Sequence, residues 1–159
     1  MAKNFHTVTV TPTVGTAEAG ANQVLFNPTE IPHAVSSHGG GAKLVSIVVQ
    51  DKGDDLTKAF DLFFFGSNAG GDLGTLNANV DITDANLALN RPLGNVRVEA
   101  EDADDVGDYV AGYLTTISNV GLVVEADSGS ASIFVAARAV DAQTKAAGEI
   151  VLTFGFETY

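Results

Sequence analysis

Two apolar runs constrain this chain more than any other feature. They lie in Lys43–Gly66, KLVSIVVQDKGDDLTKAFDLFFFG, on either side of a polar, glycine-containing segment. Leu44–Val49 is rich in β-branched residues, and Phe60–Phe65 concentrates Phe60, Leu62, Phe63, Phe64 and Phe65. Each is about six residues long, a strand's length and too short for a typical helix. Apolar residues occupy both parities of each run, so both faces are expected to be covered, as in central strands. Asp51-Lys52-Gly53-Asp54-Asp55 supplies turn chemistry between them: glycine for positive φ, aspartates for local backbone hydrogen bonds. The pair reads as the central hairpin of a β-sandwich, with a short irregular insertion around Leu56–Lys58.

The flanking sequence continues the β pattern. In residues 5–14, FHTVTVTPTV, Val8, Val10 and Val14 face one way and the threonines the other, which predicts a half-buried strand. Pro12 has no N–H to give to a ladder, so this strand lies at an edge or its pairing ends there. Residues 1–14 could pair within their own sheet or act as an arm onto a neighbour, and the pattern leaves both open. Gly15–Asn22 is a small-residue loop, Val24–Phe26 a short strand closed by Asn27-Pro28, and Gly39-Gly40-Gly41 a flexible approach to the next strand. Thr83 is placed to cap a single helical turn, with Leu87 toward the core and Pro92 preventing continuation. Strands are expected from Val96, over Tyr109–Ile117 and Gly121–Ala126 around a Ser118-Asn119 bend, and over Ile133–Val140 and Glu149–Phe156. Ser128-Gly129-Ser130 is a turn, and Gln143–Gly148 a loop. About eight strands at spacings of about 8–16 residues suit an all-β, two-sheet sandwich of jelly-roll type with one short helical turn. A chain of 159 residues without a linker or internal repeat fits one domain.

Charge and composition narrow the function classes. Eight basic against 20 acidic residues leave a formal charge of −12, which repels phosphate backbones and argues against nucleic acid as a partner. No apolar stretch approaches the roughly 18–20 residues of a membrane helix, and no secretory signal pattern opens the sequence. Cysteine is absent, so any metal would need oxygen ligands or the three histidines.

Candidate chemistry is sparse. The acidic run Glu99, Glu101, Asp102, Asp104, Asp105 and Asp108 could offer oxygen ligands to a hard cation. A calcium-loop signature starting at Asp102 fails, because Val106 falls at its fifth position and Tyr113 at its twelfth. The run reads as a solvated loop. His6, His33 and His38 lack metal-ligand spacing. Ser36 and Ser37 stand near His38, but no nucleophile-elbow pattern surrounds them. The triple glycine lacks the Lys-Ser/Thr of a phosphate loop. Phe63, Phe64 and Phe65 could form an exposed platform, yet their place in the longest apolar run puts at least two of them in the core. With no tryptophan and three tyrosines, sugar stacking has little material to work with. No catalytic, cofactor-binding or metal residue is assigned, and no cofactor is expected.

The order of segments resembles a family of small virion structural proteins of tailed bacteriophages. The shared features are the first strand Val8–Val14, the glycine-rich approach Gly39–Val49, Asp51-Lys52 with Phe60–Asn68, the short helical segment Ile82–Leu89, and Ser118–Ala137. The acidic Glu99–Asp108 stretch and the extended Phe154–Tyr159 end depart from the pattern. The resemblance implies a non-enzymatic decoration (cement) protein on the outer capsid surface, made in the host cytoplasm. It implies the major capsid protein as partner and a homo-oligomer, with a trimer favoured. A second reading is a β-sandwich binding module of a capsid projection or fibre that recognises host-surface glycan. A third, a hydrolase with a shallow carboxylate site, would need a buried, perturbed pair of acids in a cleft.

Overall fold

A computed structural model describes residues 3–53, 58–99, 104–105 and 112–158, the pair 104–105 by its backbone. The elements in chain order are β1 (Asn4–Val10), β2 (Glu18–Ala19), β3 (Val24–Ile31), β4 (Gly41–Asp51), β5 (Phe60–Phe65), α1 (Asp84–Leu89), β6 (Pro92–Val98), β7 (Asp104–Asp105), β8 (Tyr113–Glu125), β9 (Ile133–Ala139), β10 (Gln143–Thr144) and β11 (Ile150–Thr158). A five-stranded sheet runs β1-β11-β4-β8-β7, a four-stranded sheet β3-β9-β5-β6, and β10 pairs with β2. Every ladder is antiparallel. Taking the eight long strands in order, the chain changes sheet at each step except β5 to β6, which are sheet neighbours. That alternation is the jelly roll.

The two apolar runs of Lys43–Gly66 are not a hairpin. β4 pairs with β11 and β8, whereas β5 pairs with β9 and β6 in the opposite sheet. Each run offers one continuous apolar face, and the two faces meet across the sandwich instead of lying side by side. Leu44, Ile47 and Val49 of β4 and Phe60, Leu62 and Phe64 of β5 belong to one fully buried cluster with Leu152, Phe154 and Phe156 of β11. Phe64 meets Phe154 edge to face, ring centroids 5.7 Å apart, which joins the sheets at the centre of the core. Nor is β4 covered on both sides: Val45 and Val48 face outward and are only half-buried.

Further boundaries differ from the sequence pattern: the strand expected over residues 5–14 ends at Val10, and β2 and β10 form within stretches expected as loops. β3 continues through Asn27-Pro28 to Ile31, because register shifts between Val24 and Phe26 and between Phe26 and Thr29 let the proline sit where no ladder hydrogen bond is needed. The expected bend at Ser118-Asn119 lies inside one long strand, β8. The register slips between the Leu44–Leu122 and Ser46–Ser118 pairs, with Asn119 and Gly121 at φ of 57° and 73°. β6 begins at Pro92, earlier than Val96. The expected Tyr109–Ala111 strand start and the Leu56–Thr57 part of the insertion lie outside the described residues.

The connection from β5 to β6 folds back over the outer face of the four-stranded sheet. There Val24, Phe65, Leu73 and Ala136 form a second buried cluster, with Phe63, Ile82 and Leu87 packed against it. Thr83 caps α1 as its position predicts, its Oγ1 accepting from the Asn86 N–H at 3.3 Å, and Leu87 points into this second cluster. Among the described residues no helix is long and apolar enough to cross a membrane.

Because the sheets are joined through Phe154, truncating it should be among the costliest single changes. Phe154→Ala is expected to lower stability by about 3–5 kcal/mol in urea unfolding. Phe63→Ala, at a half-buried outer position, should cost clearly less.

Candidate functional site

The sequence-selected polar residues do not converge. His6 lies on β1, its Nε2 2.9 Å from the His33 carbonyl oxygen and its ring stacked on Phe156 at 5.6 Å. His33 itself has a φ of 54° in the turn after β3. Ser36, Ser37 and His38 are exposed, in a turn closed by the Gly40 N–H donating to the Ser37 carbonyl. Of the acidic run, Glu99 is exposed, and the backbones of Asp104 and Asp105 pair with Leu114 and Tyr113. Glu101, Asp102 and Asp108 lie outside the described residues. Among the described residues no group of three or more His, Cys, Asp or Glu is placed to hold a metal ion. Phe64 and Phe65 are buried as expected, while Phe63 is half-buried with the Arg138 guanidinium 5.3 Å from its ring centroid. One face of that ring is therefore occupied by a cation, not open for stacking.

The two outer faces of the sandwich differ in kind. On the four-stranded sheet, a shallow apolar groove of about 300 Å³ runs between β5–β6 and the returning connection, lined by Phe63, Leu73, Val80, Ile82 and Leu87. At its rim the register places Arg138 of β9, Asp61 of β5 and Arg97 of β6 in one row. Asp61 is 2% exposed and accepts from Arg97 at 2.8 and 3.1 Å and from Arg138 at 2.9 Å. The Arg97 hydrogen bond, with Arg138 behind it, holds the Asp61 carboxyl below its ordinary pKa despite the opposing effect of burial. Asp61 went unremarked in the sequence because it sits inside the most apolar run. The signal was there, a lone carboxylate among phenylalanines, which requires a cationic partner.

Among the described residues, no element packs over the outer face of the five-stranded sheet. The registers place Thr9, Thr153, Val48 and Thr116 in one row across β1-β11-β4-β8, and Thr7, Gly155, Ser46 and Ser118 in the next. Neither row contains a charge, although the chain carries a formal −12. At strand spacings of about 4.8 Å, the field is about 15 Å wide. The following row is Phe5, Glu157, Lys43 and Val123, whose end members are 67% and 73% exposed. Phe5, Thr7, Val45, Ser46 and Gly155 line a second shallow groove on this face. β1 closes the sheet order and pairs only with β11, so its other edge carries no ladder among the described residues. The alternation of threonine and valine in residues 5–14 was the visible sign of this face. Its width was not, because three of the four strands come from distant parts of the chain.

No protein-family model and no curated protein matches the chain. Among solved structures it is similar to one of tomato aspermy virus, with 13% identity, TM-score 0.40, and 98% of this chain and 76% of that one covered. It is also similar to one of Desmodium yellow mottle tymovirus, with 11% identity, TM-score 0.32, and 98% and 85% covered. A third is a cyanophage Pam1 capsid asymmetric unit, with 16% identity, TM-score 0.30, and 99% and 84% covered. The jelly-roll assignment rests on the strand order alone.

The Asp61 row has a definite pH signature. A carboxyl whose pKa is depressed on folding adds stability that is complete above its ordinary pKa and is lost as the pH falls through the folded value. Asp61→Asn should lower stability by about 1–3 kcal/mol near neutrality. The gap to the parent protein should narrow as the pH is taken below about 4, as urea midpoints across that range would show.

Proposed function

We propose that this protein is a non-enzymatic virion structural protein that binds and reinforces the outer capsid shell. The shell's major capsid protein is its partner, and the working unit is a homo-oligomer, a trimer by preference. The observation that carries the reading is the bare field of threonine, serine, glycine and valine on the five-stranded sheet, bounded by the open edge of β1. Short uncharged side chains lose little rotamer entropy and little hydration when covered, so such a face suits packing against another protein. The β1 edge can accept a further strand, which gives main-chain hydrogen bonds without elaborate side-chain recognition. Many small contacts repeated on a symmetric lattice then gain from avidity. The remaining acidic surface keeps a highly copied protein soluble before assembly. The segment resemblance to tailed-phage virion proteins supports the same reading. The glycan-binding alternative has less behind it, since the half-buried Phe63 has Arg138 against its ring.

Placing a charge in the bare field tests this. Thr116→Lys adds a cation at an exposed position and should leave stability within about 0.5 kcal/mol. Co-sedimentation with shells lacking the protein should weaken at least about tenfold, or about 1.4 kcal/mol. Ala88→Lys, exposed on α1, should bind like the parent. Equal binding by both variants would remove this face from the interface. Light scattering on the purified chain should give the mass of a trimer.

A further inference from the structure

The inward parity of β4 runs Ile47, Val49, Asp51, so its last inward position is a carboxylate where the pattern calls for an apolar residue. Asp51 is fully buried, in register with Ile150 of β11 and Tyr113 of β8 at one end of the sandwich. The connection from β10 to β11 brings Lys145 over it. Lys145 is also completely buried, and its Nζ lies 2.5 Å from Asp51 Oδ2. Glu149, 8% exposed, completes the group with its Oε1 3.6 Å from the same Nζ and a side-chain hydrogen bond to Asp51.

The two oxygens of Asp51 have different surroundings. Oδ1 accepts from the Gly53 N–H at 2.8 Å, while Oδ2 faces the amine. Glu149 is fixed by the Ala146 N–H on its Oε2 at 2.5 Å. It lies so close to Gly53 that a Cβ there would fall 2.1 Å from Oε1. Burial, and next the hydrogen bond to Asp51, push the Glu149 carboxyl above its ordinary pKa. The Lys145 ammonium and the Asp51 carboxylate face each other inside the core. Two buried charges still meet a desolvation cost that their attraction does not readily repay. A pair of acids in a cleft would have suited a hydrolase, but neither of the two surface grooves is lined by Asp51, Lys145 or Glu149.

We propose that Lys145 and Asp51 condense to an intramolecular amide between Nζ and Cγ, with Glu149 carrying protons between the reacting atoms. A proton passes from the ammonium to the Asp51 carboxylate across the short contact, giving a neutral amine and an acid. The Nζ lone pair attacks Cγ, and the carbonyl electrons move onto Oδ1, where the Gly53 N–H receives the developing charge. Glu149 gives its proton to the departing Oδ2 hydroxyl and takes one from the nitrogen. One C–N bond forms, one C–O bond breaks, one water leaves, and Glu149 ends as it began. Nothing is oxidised or reduced. Fixed proximity replaces the activating group that amide formation otherwise needs, and the product removes both buried charges. The bond would tie the end of β4 to the β10–β11 connection, across a sequence separation of 94.

The inference does not depend on the capsid reading, and the intact mass of the purified full chain tests it. The folded protein should weigh one water less than its sequence. Proteolysis should yield a branched peptide joining the Asp51 and Lys145 segments. Lys145→Arg should keep its full mass, and folded Glu149→Gln should form the bond at least tenfold more slowly. A folded parent protein that stays at its full sequence mass overturns the proposal, as does a water loss without the branched peptide. Bond formation at the parent rate in Glu149→Gln overturns the role given to Glu149.

Discussion

The contact on which the rest depends is the apolar seam between the sheets, centred on the edge-to-face meeting of Phe64 and Phe154. Strand side chains alternate, so burying one parity of β4, β5, β9 and β11 in this seam decides where every other residue on those strands must point. A slip of one residue in β11 would turn Phe154 and Phe156 to solvent and bring Thr153 and Glu157 inward. The seam thus specifies the register as well as supplying most of the apolar burial.

What remains is two outer faces, and the chain treats them differently. The four-stranded sheet has Phe63 and Phe65 on its outer parity, too apolar to leave in water, and the β5–β6 connection with α1 is spent on covering them. Asp61, caught in the same row, is neutralised from both sides by Arg97 and Arg138. The five-stranded sheet presents threonine, serine, glycine and valine instead, and among the described residues no element packs over them. At the end of its inner face the alternation runs out on Asp51. The buried Lys145 and Glu149 answer a carboxylate that parity alone would force into the core.

Much of the fold was legible in local pattern. The length of Phe60–Phe65, the alternation in residues 5–10, and the capping threonine at position 83 all act over a few residues. Pairing was less legible. That β4 faces β5 instead of joining it depends on which strands compete for each edge, and those lie up to about a hundred residues away. The Ser118–Asn119 signal was real, but it marks a bulge within β8, because the partner β4 holds both halves in one ladder. Least legible was the Asp51–Lys145–Glu149 group. Lys145 sits in a stretch expected as a loop, Glu149 at the expected start of the last strand, and Asp51 reads as an ordinary turn residue until the fold shows which way it points.

The central functional claim is that the bare face of the β1-β11-β4-β8 sheet is the one that meets the shell. Cryo-electron microscopy of purified particles tests it directly. The account predicts many copies at regular positions on the outer shell, with Thr9, Thr116 and Ser118 against capsid subunits and the α1 side turned outward. A few copies at one vertex or along the tail, or the same face open to solvent, would contradict it.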